Sequence, residues 1–284
     1  MNPKQRKQLK KIIKRHHQVK PNDYIQQLTN YRDLFDNFPS IKYLINNILE
    51  SNRLLQNGLL PQPLPKLLLP EDIQDTIFAD VQAKYKPADP AGDQQWSQYN
   101  EALPALDRLL RNYRDYLETT YGMWSYTNSL FIKQLSQLLD GQPVLEVMAG
   151  NGYISKGLKN LDTHQTVITT DSKEWLTENE TGKHPVTSIE PLDALTAFTK
   201  YEKQIKYVIM SWAPDKQTTD WELLQQIRTS NQKITLLVIG EKKGATNSKA
   251  FWQNVKIVAN EQIDQINVQF KSFDLIDEKL FECE

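Results

Sequence analysis

Pro143 to Gly152 reads Pro-Val-Leu-Glu-Val-Met-Ala-Gly-Asn-Gly. A short apolar run carries one acid, Glu146, and ends in a small-residue turn, Ala149-Gly150-Asn151-Gly152. An amphipathic stretch, Tyr153–Leu161, follows. This order predicts a strand, a tight turn and a helix N-terminus. Glycine lets the backbone fold sharply and lets a ligand come close, because no Cβ is in the way. The helix start offers unpaired N–H groups. Three more groups follow predicted strands: Asp171 with Ser172, Asp193 with Ala194, and Ser211 with Trp212. In an open α/β sheet, ligands bind beyond the carboxyl ends of the strands, where all four groups would lie.

The elements that must position these residues fall in two textures. Residues 1–125 read as helix and loop, with helices predicted at Asp23–Leu34, Ile41–Leu55, Glu71–Lys84 and Gln95–Thr120 from their apolar spacing. The proline-rich stretch 61–70 should be extended, and Lys86–Asp93 reads as a loop. Residues 126–284 alternate. Strands are predicted at Val144–Val147, Thr166–Thr170, Val186–Ile189, Tyr207–Trp212, Lys233–Gly240, Gln265–Phe273 and Lys279–Cys283. Helices are predicted at Tyr126–Leu139, Tyr153–Leu161, Lys173–Thr177, Leu192–Tyr201, Thr219–Thr229 and Lys249–Val255. Alternation of this kind implies a doubly wound, mostly parallel sheet of the α/β class. No clear helix separates the last two strands, so they should form an antiparallel hairpin. The expected architecture is thus a helical N-terminal domain, 1–125, before a Rossmann-like seven-stranded domain, 126–284.

The chemistry of the strand ends narrows the ligand. A carboxylate at Asp171 can accept both hydroxyls of a ribose. Asp193 can accept from an adenine amine while the Ala194 N–H meets a ring nitrogen, and Glu146 can attract an ammonium group. S-adenosylmethionine needs an ammonium site, a ribose site and an adenine site, and has no phosphate. Residues 126–284 resemble a class I S-adenosylmethionine-dependent methyltransferase. The resemblance rests on Val-Leu-Glu-Val-Met-Ala-Gly-Asn-Gly, on Thr-Thr-Asp at 169–171, on Leu-Asp-Ala at 192–194 and on Val-Ile-Met-Ser-Trp-Ala-Pro at 208–214. It implies that Glu146, Gly150 and Gly152 contact the methionine part of the cofactor, Asp171 the ribose and Asp193 the adenine. S-adenosylhomocysteine would be the product. Two departures stand out: Ala149 occupies the first glycine of the family's usual turn, and Ser211-Trp212-Ala213-Pro214 replaces the Asn/Asp-Pro-Pro-aromatic motif of amino methyltransferases.

In-line methyl transfer needs positioning and desolvation. A base is required only if the acceptor must lose a proton, and Asp215, Tyr126 and Glu241 are the candidates. Trp124, Tyr126, Trp212 and Gly244–Ser248 are candidates for an acceptor pocket. Plainer roles stay open: Asp171 and Asp193 as helix N-caps and Trp212 as packed core. Two rival functions also stay open. One is a cofactor-binding regulatory or partner module without catalysis, suggested by the unusual Ser-Trp-Ala-Pro. The other is an NAD-dependent enzyme, because Gly150-Asn151-Gly152-Tyr153-Ile154-Ser155 nearly fits Gly-x-Gly-x-x-Gly. Glu146 would repel a pyrophosphate there.

The 284 residues carry a net charge of −1. Residues 1–20 hold eight basic residues and no acid, a possible arm for nucleic acid or an anionic surface. The acidic body argues against a large nucleic-acid groove. Four scattered histidines lack metal-ligand spacing, so no metal is expected. One cysteine, Cys283, gives no disulfide framework, and no run reaches the roughly 20 apolar residues of a membrane span. Together these point to a cytoplasmic protein.

Overall fold

A computed structural model describes residues 21–177 and 180–284. The basic arm, residues 1–20, lies outside them. The described chain divides into two compact units. One comprises the chain up to Leu49 together with Leu68–Tyr116, and the other Glu50–Leu67 together with Leu117–Glu284. The segments 50–67 and 117–125 therefore belong with the α/β region.

The first unit is helical: α1 (Pro21–Leu34), most of α2 (Pro39–Gln56), α3 (Ile73–Lys84), α4 (Pro90–Arg111) and the start of α5 (Tyr113–Tyr121). The expected helix Gln95–Thr120 is two helices, broken at Asn112, and the first begins earlier than expected. Pro90 at its first position suits a helix start, and Asp89 caps it by accepting from Ala91 N at 3.0 Å. Phe35, Ile41, Ile45, Ile48, Ile77 and Leu106 are buried here. Tyr24 stacks on Tyr116 at 4.5 Å and donates its hydroxyl to Leu109 O at 2.7 Å.

The second unit holds α6 (Ser129–Leu139), β1 (Val144–Val147), α7 (Tyr153–Leu161), β2 (Val167–Asp171), β3 (Glu190–Pro191) and α8 (Ala194–Tyr201). It continues with β4 (Tyr207–Ser211), α9 (Thr219–Thr229), β5 (Thr235–Glu241), α10 (Lys249–Asn254), β6 (Ile257–Val258), α11 (Glu261–Gln269) and β7 (Glu278–Cys283). The strand order is β3-β2-β1-β4-β5-β7-β6. The first five run parallel in the 3-2-1-4-5 order of doubly wound nucleotide-binding sheets, and β7 runs antiparallel to both β5 and β6. Alternate strand residues serve opposite faces. Leu145, Val147, Val208, Met210, Leu236 and Val238 pack on Phe198, Leu223, Leu224 and Phe251. Val144, Ile209, Leu237, Ile239 and Leu280 pack on Phe131, Leu135, Leu158, Ile263 and Ile266. Each such side chain contributes about 1.5–3 kcal/mol.

Two predicted strands differ. The third strand is the two-residue Glu190–Pro191 in place of Val186–Ile189. The sixth is Ile257–Val258, and the segment expected as strand Gln265–Phe273 begins as the second half of α11. Ile266, Val268 and Phe270 alternate with polar residues, which mimics a strand. Asn260 overrides that pattern by capping the helix, accepting from Gln262 N at 3.0 Å. Ile263, Ile266 and Phe270 are then buried, while Val268 is 66% exposed. The helix expected from Tyr126 starts at Ser129 as α6, where Asn128 accepts from Phe131 N at 2.9 Å.

Candidate functional site

The turn after β1 has three left-handed residues: Met148 (φ 53°), Gly150 (φ 58°) and Gly152 (φ 80°). Ala149 is not among them. The position where the backbone lacks a glycine is therefore Met148, where the left-handed conformation costs about 1–2 kcal/mol. Gly152 caps α7, and a Cβ on it would lie 2.6 Å from Thr187 Cγ2. That distance admits no side chain.

Glu146 is buried and faces the same helix start. Its Oε2 accepts from Ser155 N at 2.9 Å and from the Ser155 hydroxyl. Burial pushes its carboxyl up to about 7, against the pull of those two Ser155 bonds. Asp171, the last residue of β2, accepts from Gly150 N with Oδ2 at 2.9 Å and from Lys173 N with Oδ1 at 2.7 Å. Burial raises its pKa as well, opposed by the same backbone donors. Asp171 thus ties the β1 turn to the β2 turn. Each carboxylate oxygen keeps a second lone pair for a ligand hydroxyl. Ser172 lies beside it and its hydroxyl accepts from Glu174 N at 3.4 Å.

Asp193 caps α8. Its Oδ1 accepts from Leu195 N and Thr196 N, each at 3.0 Å, and its Oδ2 from the Thr196 hydroxyl at 2.6 Å. The Thr196 hydroxyl bond in particular lowers its pKa. Ala194 is buried as the first residue of that helix. Asn151 is buried, with Nδ2 donating to Tyr121 O at 2.9 Å. The structure thus joins Glu146, Gly150, Asn151, Gly152 and Asp171 through one turn, while Asp193 serves its own helix.

The far strand ends form a second group. Ser211 is the last residue of β4, and Trp212 follows in a left-handed conformation (φ 53°). A bulky residue there is a genuine outlier. Its indole N–H donates to Glu278 Oε1 at 2.6 Å, and the Ser125 hydroxyl donates to the same oxygen. Trp124 lies 6.1 Å from Trp212, ring to ring, and donates to the Thr181 hydroxyl. Glu278, the buried first residue of β7, pairs across the sheet with Glu241. Nothing in Asp277-Glu278-Lys279 marks it in the sequence.

The three candidate bases differ in setting. Asp215 is exposed in the loop after β4. Glu241 accepts from Ala245 N at 2.8 Å and from Asp277 N at 3.1 Å, organising the loop after β5. Tyr126 is buried, donates to Gln62 O at 2.8 Å and lies 2.8 Å from the Ser51 hydroxyl; burial raises its pKa, so it stays protonated. In the loop after β5, Asn247 is left-handed (φ 61°) and its N–H donates to Ala213 O at 2.8 Å. Among the described residues no group of three or more His, Cys, Asp or Glu side chains is arranged to hold a metal, and no helix is long and apolar enough to cross a membrane.

No protein-family model matches the chain, and no curated protein matches it. Several solved methyltransferase structures show partial similarity. Human N-acetylserotonin methyltransferase shares 10% identity at a TM-score of 0.35, over 94% of this chain and 71% of its own. The CurJ carbon methyltransferase shares 12% at 0.32, over 94% and 99%. The riboflavin-type dimethyltransferase RosA of Streptomyces davawensis shares 10% at 0.32, over 87% and 70%. The second unit's own sheet is Rossmann-like, five parallel strands followed by the antiparallel β7 between β5 and β6, as the sequence predicts.

Proposed function

We propose that this chain binds S-adenosylmethionine at the β1 and β2 ends and transfers its methyl group to a small-molecule or protein acceptor. The observation that carries the reading is the Asp171 clamp. It presents a buried carboxylate at the β2 tip, bonded to Gly150 N at 2.9 Å, directly beside the glycine turn. The residues present fit the cofactor. Gly150 and Gly152 leave backbone open to close approach, Glu146 would hold the ammonium, Asp171 the ribose hydroxyls, and Asp193 with Ala194 the adenine edge. A buried acid behind the turn is unsuited to a pyrophosphate, which disfavours NAD.

When bound, S-adenosylmethionine supplies an electrophilic methyl on a sulfonium. The chain's own residues then have to orient the acceptor and exclude water. Ser211 at the β4 tip would meet the cofactor, and Trp212 beside it, with Trp124, would line the acceptor side. Glu146 titrates near neutrality, so its attraction for an ammonium should grow as pH rises through about 7. Tyr126 and Glu241 are engaged in structural bonds, which leaves the exposed Asp215 as the candidate base, if one is needed.

The test is transfer of label from methyl-tritiated S-adenosylmethionine to fractionated small molecules and proteins. Acceptor-dependent release of S-adenosylhomocysteine is the expected result. Binding of the cofactor with no acceptor-dependent turnover in any fraction would favour the non-catalytic module. Binding of NADH alone would overturn both.

A further inference from the structure

The glycine turn is held from outside the region where the strand–helix alternation begins. Tyr121, the last residue of α5, accepts two hydrogen bonds on its carbonyl: from Asn151 Nδ2 at 2.9 Å and from the Tyr153 hydroxyl at 3.0 Å. Asn151 is the middle of the turn, and Tyr153 is the first residue of α7. Burial pushes the Tyr153 phenol up to about 12, so it remains a donor. The Tyr121 hydroxyl in turn donates to Asn52 Oδ1 on α2 at 2.7 Å. The next residue, Gly122, is left-handed (φ 59°), and a Cβ on it would sit 2.3 Å from Asn151 Nδ2 and 2.8 Å from Glu180 O. Only glycine lets the chain pass this close. Lys156, in the first turns of α7, reaches Gly58 O at 2.6 Å.

We propose, on the reading of the β1–β2 site given above, that Asn52 and Tyr121 are positioning residues for the cofactor turn. Asn52 fixes the tyrosine ring, and the tyrosine carbonyl fixes Asn151 and the start of α7. The backbone N–H groups and the Glu146 and Asp171 carboxylates that would meet the cofactor depend on that placement. Neither residue touches the reacting atoms. The relay assigns part of the cofactor site to residues of two helices that precede β1 in sequence.

The experiment uses the full chain with Tyr121→Phe, Asn52→Leu and the double variant. S-adenosylhomocysteine affinity is measured by titration calorimetry, and amide hydrogen exchange is followed without ligand. Each single variant should weaken S-adenosylhomocysteine about three- to tenfold, the scale of one buried hydrogen bond. The double variant should be no worse than the weaker single, because both break one link. Exchange should quicken at 150–155 while 207–211 and 235–241 in β4 and β5 stay as in the wild type. Wild-type-like affinity with unchanged exchange at 150–155, or a uniform rise across the sheet, would overturn the proposal. If the wild type itself fails to bind S-adenosylhomocysteine, the cofactor reading fails. Exchange at 150–155 in the variants then decides the positioning role alone.

Discussion

The two ends of the sheet's ligand edge are built on different principles. At β1 and β2, buried carboxylates bond to backbone N–H groups close by in sequence. Glu146 reaches Ser155, 9 residues on, and Asp171 reaches Lys173 and Gly150, 2 and 21 residues away. At β4 and β7, Glu278 bonds to side chains that are far away in sequence: Trp212 at 66 residues and Ser125 at 153. The near end is a set of oriented amides with buried acids behind them, which suits a polar ligand of fixed shape. The far end is an aromatic pair whose members are each tied down by a side-chain bond. The far end rests chiefly on side-chain bonds, whereas the near end rests on bonds to the backbone.

The largest expected effect tests whether both ends depend on residues before 126. A chain cut to residues 126–284 loses Tyr121 and Gly122 from the near end and Ser125 from the far end. It also loses the buried Leu64 and Leu67 and the Leu67 N to Phe273 O bond of 2.8 Å. It should show no cooperative thermal transition; a sharp one would separate both ends from the preceding segments.

Next is the charge at the near end. Burial raises the Glu146 pKa from an ordinary 4.5 to about 7. The folded state therefore takes up the proton more readily. The stability this group contributes is full below pH 4.5 and is lost as pH rises through about 7. Glu146→Gln keeps an acceptor for Ser155 and should remove that pH dependence. It should gain up to about 3 kcal/mol on the wild type between those limits. Denaturant melts at pH 5 and pH 8 measure it, and parallel wild-type and variant profiles would contradict the raised pKa. The same variant should weaken S-adenosylhomocysteine.

At the far end, Glu278→Leu removes the acceptor shared by the Trp212 indole and the Ser125 hydroxyl and should cost about 2 kcal/mol. S-adenosylhomocysteine affinity should not change, since Glu278 has no role at the turn. A matching loss of affinity would merge the two ends into one site. The smallest effect belongs to Asp193→Ala, which removes a helix cap worth about 1 kcal/mol. If Asp193 also serves the adenine, affinity falls by more than stability does; if it only caps, affinity holds.

What was legible in the sequence follows the same division. β1, α7 and α9 were readable to the residue, because turn glycines, polar caps and apolar spacing are local signals. The positions of Glu146, Gly150 and Asp171 in β1, its turn and the β2 tip are legible for the same reason. Met148 was not, because the residue that must turn left-handed depends on how the loop closes. Glu278 was hidden in a charged run that looks solvated, and it becomes a buried acceptor only when β7 pairs with β5. Asn52 and Tyr121 lie on helices whose spacing explains packing well enough to mask a second role. α11 was misread because two periods coincide at Ile266 and Phe270, and the cap at Asn260 decides between them.

If the near end binds an adenosyl ligand without phosphate, such a ligand should stabilise the folded chain. Thermal unfolding of the wild type with S-adenosylhomocysteine, and separately with NADH, tests it most directly. A ligand at 100 times its dissociation constant adds about 2.7 kcal/mol if it binds only the folded state. The expected result is a rise of several degrees with S-adenosylhomocysteine, abolished in Asp171→Ala, and none with NADH. No rise with S-adenosylhomocysteine, or a rise with NADH alone, would contradict it.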